Sequence, residues 1–194
     1  MFNDRSSTLS LLRTRRSARP RDLVAPGPDD AQLRQIFEAA MRVPDHGKLA
    51  PWRFVHVSKA QRGAFRDLLE RAYREEHPTP GRLELEAIDK FAHQAPTLVV
   101  ALFVPVVPSK IPLWEQELSA GAALMNLLLA THALGFAGGW VTGWAANSAT
   151  VARAFGPEGA RIAGFVFIGT PGAELEERPR PDYDKIASDW VPHD

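Results

Sequence analysis

Between Glu117 and Arg153 the sequence contains no Asp, Glu, Lys or Arg. Within that stretch "LSAGAALMNLLLATHALG" (118–135) has helical composition and a terminating Gly135, yet it is apolar nearly all round. A surface helix keeps one polar face, so a helix of this kind must be covered on most sides. Burial against its own domain on one side and a second subunit on the other meets that requirement. A membrane span is the competing reading, but Ser119, Asn126, Thr131 and His132 interrupt a run already short for a bilayer.

The rest of the chain supplies the covering layers. "STLSLLRT" (7–14) predicts a short helix starting at a serine cap, and a second helix runs from a cap at Asp29 or Asp30 to a stop at Pro44. Its Leu33, Ile36, Phe37, Ala40 and Met41 recur at helical spacing. Residues 60–76 and 83–93 predict two more helices, and "SATVARAFG" a short one ending at Gly156. "RFVHV" (53–57), "APTLVVALFVP" and "RIAGFVFIG" read as strands, the middle one apolar throughout and therefore covered on both faces. "GGWVTGWAANS" (138–148) reads as a glycine-rich loop. The segment from Pro171 holds four of the sixteen prolines and reads as an extended arm over about 171–194. No repeat or linker divides the chain, so residues 1–194 are expected to form one three-layer α+β domain on a mixed sheet.

Composition narrows the function. Lys plus Arg and Asp plus Glu are equal at 23 each, so no net charge draws the chain to nucleic acid or an anionic membrane. The absence of cysteine excludes disulfides, thiol catalysis and thiolate metal sites. The histidines (46, 56, 77, 93, 132 and 193) show no metal-binding spacing. The N-terminal stretch is not a signal peptide, and a cytoplasmic location is expected.

Three segments could carry chemistry. "RTRRSARPR" (13–21) has five arginines in nine positions, and forked guanidinium donors beside a serine hydroxyl suit a phosphate dianion. A solvated basic loop or a nucleic-acid arm are the other readings of such a run. "MRVPDHGKLAPWRF" (41–54) sets Asp45, His46, Lys48, Trp52 and Arg53 on a connection stiffened by Pro44 and Pro51; alone, it could equally be an Asp-capped turn and a core tryptophan. In "GGWVTG" (138–143), consecutive glycines allow close approach to the main chain, or simply a turn.

Together and in this order, "RRS", "MRVPDHGKLAPWRF", "PLWEQELSAGAALMNLLLATHALGFAGGW" and "GFVFIGTP" resemble the flavin-dependent nitroreductase family, and within it the small YdjA-type members, over roughly residues 9–172. The resemblance implies a homodimer with a mainly antiparallel, three-layer α/β/α fold and FMN at the subunit interface. It implies that Arg15, Arg16 and Ser17 hold the FMN phosphate and ribityl chain, with Arg19 near the flavin pyrimidine edge. Arg42 and His46 would reach the flavin from the opposite subunit or from its edge, with Lys48 and Trp52 as neighbours. Trp140, Val141 and Thr142 match a further flavin contact, and Arg180 a late basic residue that reaches the phosphate in larger relatives. A close relative carries Arg and Ser where this chain has Val141 and Thr142, so backbone contacts there survive and an arginine side-chain contact does not. The implied activity is hydride transfer from NADH or NADPH to FMN and then to a nitroaromatic or quinone-like acceptor, in a ping-pong cycle. It needs no catalytic acid–base residue and no metal. A flavin-binding protein with another role, such as dehalogenation, dehydrogenation, or flavin metabolism or storage, is the alternative.

Overall fold

A computed structural model describes residues 2–192, so His193 and Asp194 at the end of the arm lie outside the described residues. The elements in chain order are α1 (Thr8–Thr14), β1 (Leu23–Val24), α2 (Asp30–Ala40), β2 (Trp52–Val57), α3 (Arg62–Glu76), α4 (Arg82–His93), β3 (Thr97–Phe103), α5 (Leu113–Ala133), β4 (Ala137–Val141), α6 (Trp144–Asn147), α7 (Ala149–Phe155), β5 (Arg161–Pro171) and α8 (Tyr183–Ile186). Local chemistry sets several of these bounds. The Ser7 hydroxyl accepts from the Ser10 amide at 3.0 Å and caps α1. Asp29 and Gln32 cap α2 reciprocally, at 2.8 and 3.0 Å.

The sheet is built around β5. β3 and β4 pair with it, β1 pairs with its last two residues, and β2 closes the far side of β3. Every one of these pairings is antiparallel, as the mainly antiparallel sheet implied by the resemblance requires, and no parallel pair is found among the described strands. Alternation along the two central strands then sorts the core. Leu98, Val100, Leu102, Phe165 and Phe167 point into a layer with α3, α4 and α7, whereas Val99, Val166 and Ile168 point to α2 and α5. All seven β3 residues are buried, as its unbroken apolar run requires. Helices thus cover both sheet faces, in three layers.

Two expectations need correction. The helix expected from 118 begins at Leu113, because Gln116 is drawn inside: its side-chain amide bonds both backbone groups of Val106 and the Ile111 carbonyl at 2.9–3.2 Å. The glycine-rich segment expected to be a loop is instead strand β4 up to Val141, in register with Phe165–Gly169. Its glycines admit close neighbours supplied by the chain itself. A Cβ on Gly138 would meet the Leu128 side chain at 2.9 Å, and one on Gly139 the Ala18 carbonyl at 2.5 Å. At its far end α5 stops as predicted, at Gly135 with φ +95°, where the Gly135 and Phe136 amides return to the His132 and Thr131 carbonyls.

Candidate functional site

The close approach at Gly139 brings the arginine segment to β4. Residues leaving α1 run beside the strand, and the Ala18 amide donates to the Gly138 carbonyl at 3.1 Å. Arg15, Arg16, Ser17 and Arg19 are thereby brought to the start of β4, the strand that farther along carries Trp140 and Val141 and leads to Thr142, although more than a hundred residues separate the two segments in sequence.

The cluster is neither a solvated loop nor a free basic arm. Arg16 is only 8% exposed. Its Nη1 donates to the carbonyls of Arg13 and Arg15 at 3.1 and 2.9 Å, its Nη2 pairs with Glu177, and its guanidinium lies 4.9 Å from the Phe2 ring centre. The buried Nε of Arg16 has no partner. Arg15 donates to the Ser17 hydroxyl at 3.2 Å and has no carboxylate partner among the described residues. Burial, then the charges of Arg180 and Arg16, push the Arg15 pKa down. Among the described residues the facing acids come from the arm: Glu176 pairs with Arg19 at 2.6 Å, and Glu177 with Arg16 and, at 3.7 Å, with Arg180. Arg180 thus joins the cluster.

Trp140 is 40% exposed and firmly held. Its indole lies against Gly164, where a Cβ would collide with the ring, and its Nε1 donates to the Ala163 carbonyl at 3.0 Å. Ala163 is the extra residue at the irregularity between Ala101 and Leu102 in the β3–β5 register, so the bulge presents that carbonyl to the ring. A cavity of about 490 Å³ opens beside Trp140, reaching Gly121 of α5 and Asn147. Thr142 is exposed and lines a second, largely apolar cavity of about 340 Å³ with Tyr73, Phe91 and Trp144.

Among the described residues neither Arg42 nor His46 bonds to the arginine cluster. The Arg42 carbonyl accepts from Asn126, and His46 Nδ1 lies 2.8 Å from Glu115 in the first turn of α5. The charge of Arg15, by contrast, acts on His132 in the last turn. Glu115 and His132 are 17 residues apart, about 25 Å along the helix. The loop that carries His46 is tightly held: Asp45 accepts from the Ala50 amide at 2.8 Å, and Lys48 and Ala50 take positive φ values of 55° and 47°. Non-glycine residues in that region are uncommon and mark a specified backbone. Lys48 is exposed, and Trp52 is a core anchor, 6% exposed against Phe103, Ala120 and Ala123.

Sequence reasoning missed two features of this region. Glu176 and Glu177 face the arginines, and the only signal was an acidic pair in an otherwise proline-rich arm. His132 is fully buried with no hydrogen-bond partner at either ring nitrogen. Burial first, and the Arg15 charge second, push its pKa down to about 4, while the Phe136 backbone opposes this weakly.

Among the described residues no cluster of His, Asp and Glu is placed to hold a metal ion, and no helix is long and apolar enough to cross a membrane. Comparison with known proteins agrees with this architecture. A Haemophilus influenzae protein named "Putative NAD(P)H nitroreductase" is 42% identical over 173 residues, covering 88% of this chain and 91% of its own. The Escherichia coli K12 protein named "Putative NAD(P)H nitroreductase YdjA" is 37% identical over 84% of this chain and 87% of its own. Among solved structures, a nitroreductase-like family protein from Bacillus cereus superposes with a TM-score of 0.81 at 19% identity, covering 94% of this chain and 95% of its own. A mutant of the FMN and NADPH-dependent nitroreductase NfnB, from sphigopyxis sp. strain HMH, gives a TM-score of 0.73 at 22% identity, over 95% and 98% of the two chains. The family description that matches residues 12–170, from within α1 to the end of β5, is that of the Nitroreductase family, and to that family this chain belongs.

Proposed function

We propose that this chain is an FMN-dependent oxidoreductase that takes hydride from NADH or NADPH and reduces nitroaromatic or quinone-like acceptors. The observation that carries the reading is the arginine cluster beside β4. A phosphate dianion needs several convergent cationic donors in a partly dry place. Arg15, bonded only to Ser17, the partnerless Nε of Arg16, and the Ser17 hydroxyl supply them. The donor set therefore fits the FMN phosphate, and the pinned indole of Trp140 with the backbone of Val141 and Thr142 fits the edge of a planar ring system. When bound there, FMN would accept hydride from the nicotinamide and deliver the electrons to the acceptor, each partner using the site in turn. Arg19 would place positive charge near the ring and so favour its reduced, anionic form. No side chain here is required to move a proton. The names of the H. influenzae, E. coli and sphigopyxis proteins support the same donor and cofactor.

The reading includes a homodimer. On α5, Trp114 and Leu118 are 61% and 65% exposed, and half-buried Met125 and Leu129 continue the same stripe at four-residue spacing. A second copy seated there covers the apolar face that the sequence left unaccounted for. In an antiparallel crossing it also carries its His46 toward the end of α5 where Arg15 stands, which one chain cannot do, and its Arg42 comes with the same loop.

The test compares FMN with riboflavin, which lacks the phosphate. Arg15→Gln should weaken FMN binding about ten- to a hundredfold, the worth of a charge-assisted hydrogen bond, and leave riboflavin binding unchanged. Equal losses for both ligands, or none, would refute the phosphate assignment.

A further inference from the structure

The anion site just described already contains anions. Glu176 and Glu177 reach Arg19, Arg16 and Arg180 from the arm, so carboxylates of this chain take up part of the charge the arginines offer. Little space is left between them. The cavity bounded by Ser17, Ala18 and Arg19 on one side and by Ala173, Leu175 and Glu176 on the other measures about 20 Å³, room for about one water molecule. A phosphate group cannot enter from that side while the arm lies as it does.

The arm is also poorly anchored elsewhere. It leaves the sheet at Pro171, where the Gly172 amide donates to the Asp22 carbonyl at 2.8 Å. Beyond this, Leu175 packs on the core, and the large apolar side chains farther on, Tyr183, Ile186 and Trp190, are 73–84% exposed. Its hold on the arginine cluster rests mainly on the two glutamates. Both are exposed, so each pair can open without leaving a buried carboxylate behind.

We propose that Glu176 and Glu177 form an internal plug, a pair of carboxylates that stands in the anion site of the unloaded chain and competes with the cofactor phosphate. This rests on the reading that the arginine cluster is the phosphate site. The competition runs through charge and space together. Phosphate entry requires Glu177 to release Arg16, and the freed arm swings away from Ser17. Unloaded protein thereby avoids an uncompensated buried cationic cluster, and loading exchanges one set of anionic partners for another. The ligand class that opens the plug is a phosphate monoester attached to a group that β4 can hold.

The experiment titrates FMN into cofactor-free wild type, Glu176→Gln/Glu177→Gln and a control, Glu158→Gln, with flavin fluorescence as the readout. The double variant should bind FMN about three- to tenfold more tightly than wild type, the range that pairs of this exposure are worth, while the control is unchanged. Hydrogen–deuterium exchange on wild type gives a second readout. FMN should speed exchange over residues 173–182 while slowing it over 13–19. Equal or weaker FMN binding by the double variant, or an arm that becomes more protected on loading, overturns the plug. If neither protein takes up FMN, the proposed function itself falls, and the two failures are thereby told apart.

Discussion

Replacing His132 with Leu isolates one buried group whose protonation opposes folding. In the unfolded chain the imidazole titrates near 6.5, and in the folded chain at about 4. Between those values the unfolded state binds a proton that the folded state refuses, so stability falls as the pH drops through that window and loses nothing further below it. At 1.36 kcal/mol per pH unit, the loss from this one group amounts to about 2 kcal/mol between pH 7.5 and pH 5. His56 is also held below its usual range, by burial and then Arg62, but it is present in both proteins and cancels in the difference. Neither nitrogen of His132 has a partner, so an apolar side chain of similar bulk should cost little at pH 7.5. The assay is urea unfolding of cofactor-free wild type and His132→Leu at pH 7.5, 6.5, 5.5 and 5. Wild type should lose about 2 kcal/mol more than the variant over this range. Parallel pH dependence in the two proteins would refute the assignment of a neutral, unpartnered imidazole.

Other perturbations probe the parts around it. Gly139→Ala sets a Cβ 2.5 Å from the Ala18 carbonyl, and should cost about 1–3 kcal/mol in urea unfolding and weaken FMN retention by pushing the arginine segment off the strand. Leu118→Asp, on the exposed face of α5, should leave a folded chain that sediments as a monomer, whereas Leu128→Asp, at a position 3% exposed, should abolish folding as judged by circular dichroism. Gly164→Val should displace the Trp140 indole from the Ala163 carbonyl, seen as a shifted tryptophan emission and a lower unfolding midpoint.

The helices were legible where local chemistry sets them. Ser7 and Asp29 cap where the sequence places caps, Gly135 stops α5, and the unbroken apolar run of β3 lies in the centre of the sheet. β4 was not legible, because Gly138 and Gly139 have little strand propensity and become a strand only through pairing with β5. The strand register was hidden as well, since pairing partners lie far apart in sequence. The site was legible in its residue types but not in its assembly. The arginine segment announced an anion, yet its neighbours Gly138, Glu177 and His132 come from the distant half of the chain. The position of His46, far along α5 from Arg15, could be read only once the helix had a length and direction.

The most direct test of the central claim is an absorbance spectrum of the purified protein after FMN is added and the excess removed, followed by anaerobic addition of NADH and then NADPH. Retained flavin bands near roughly 370 and 450 nm that bleach with at least one nucleotide are the predicted result. Retained bands that neither nucleotide bleaches, or no retained flavin at all, would contradict the account.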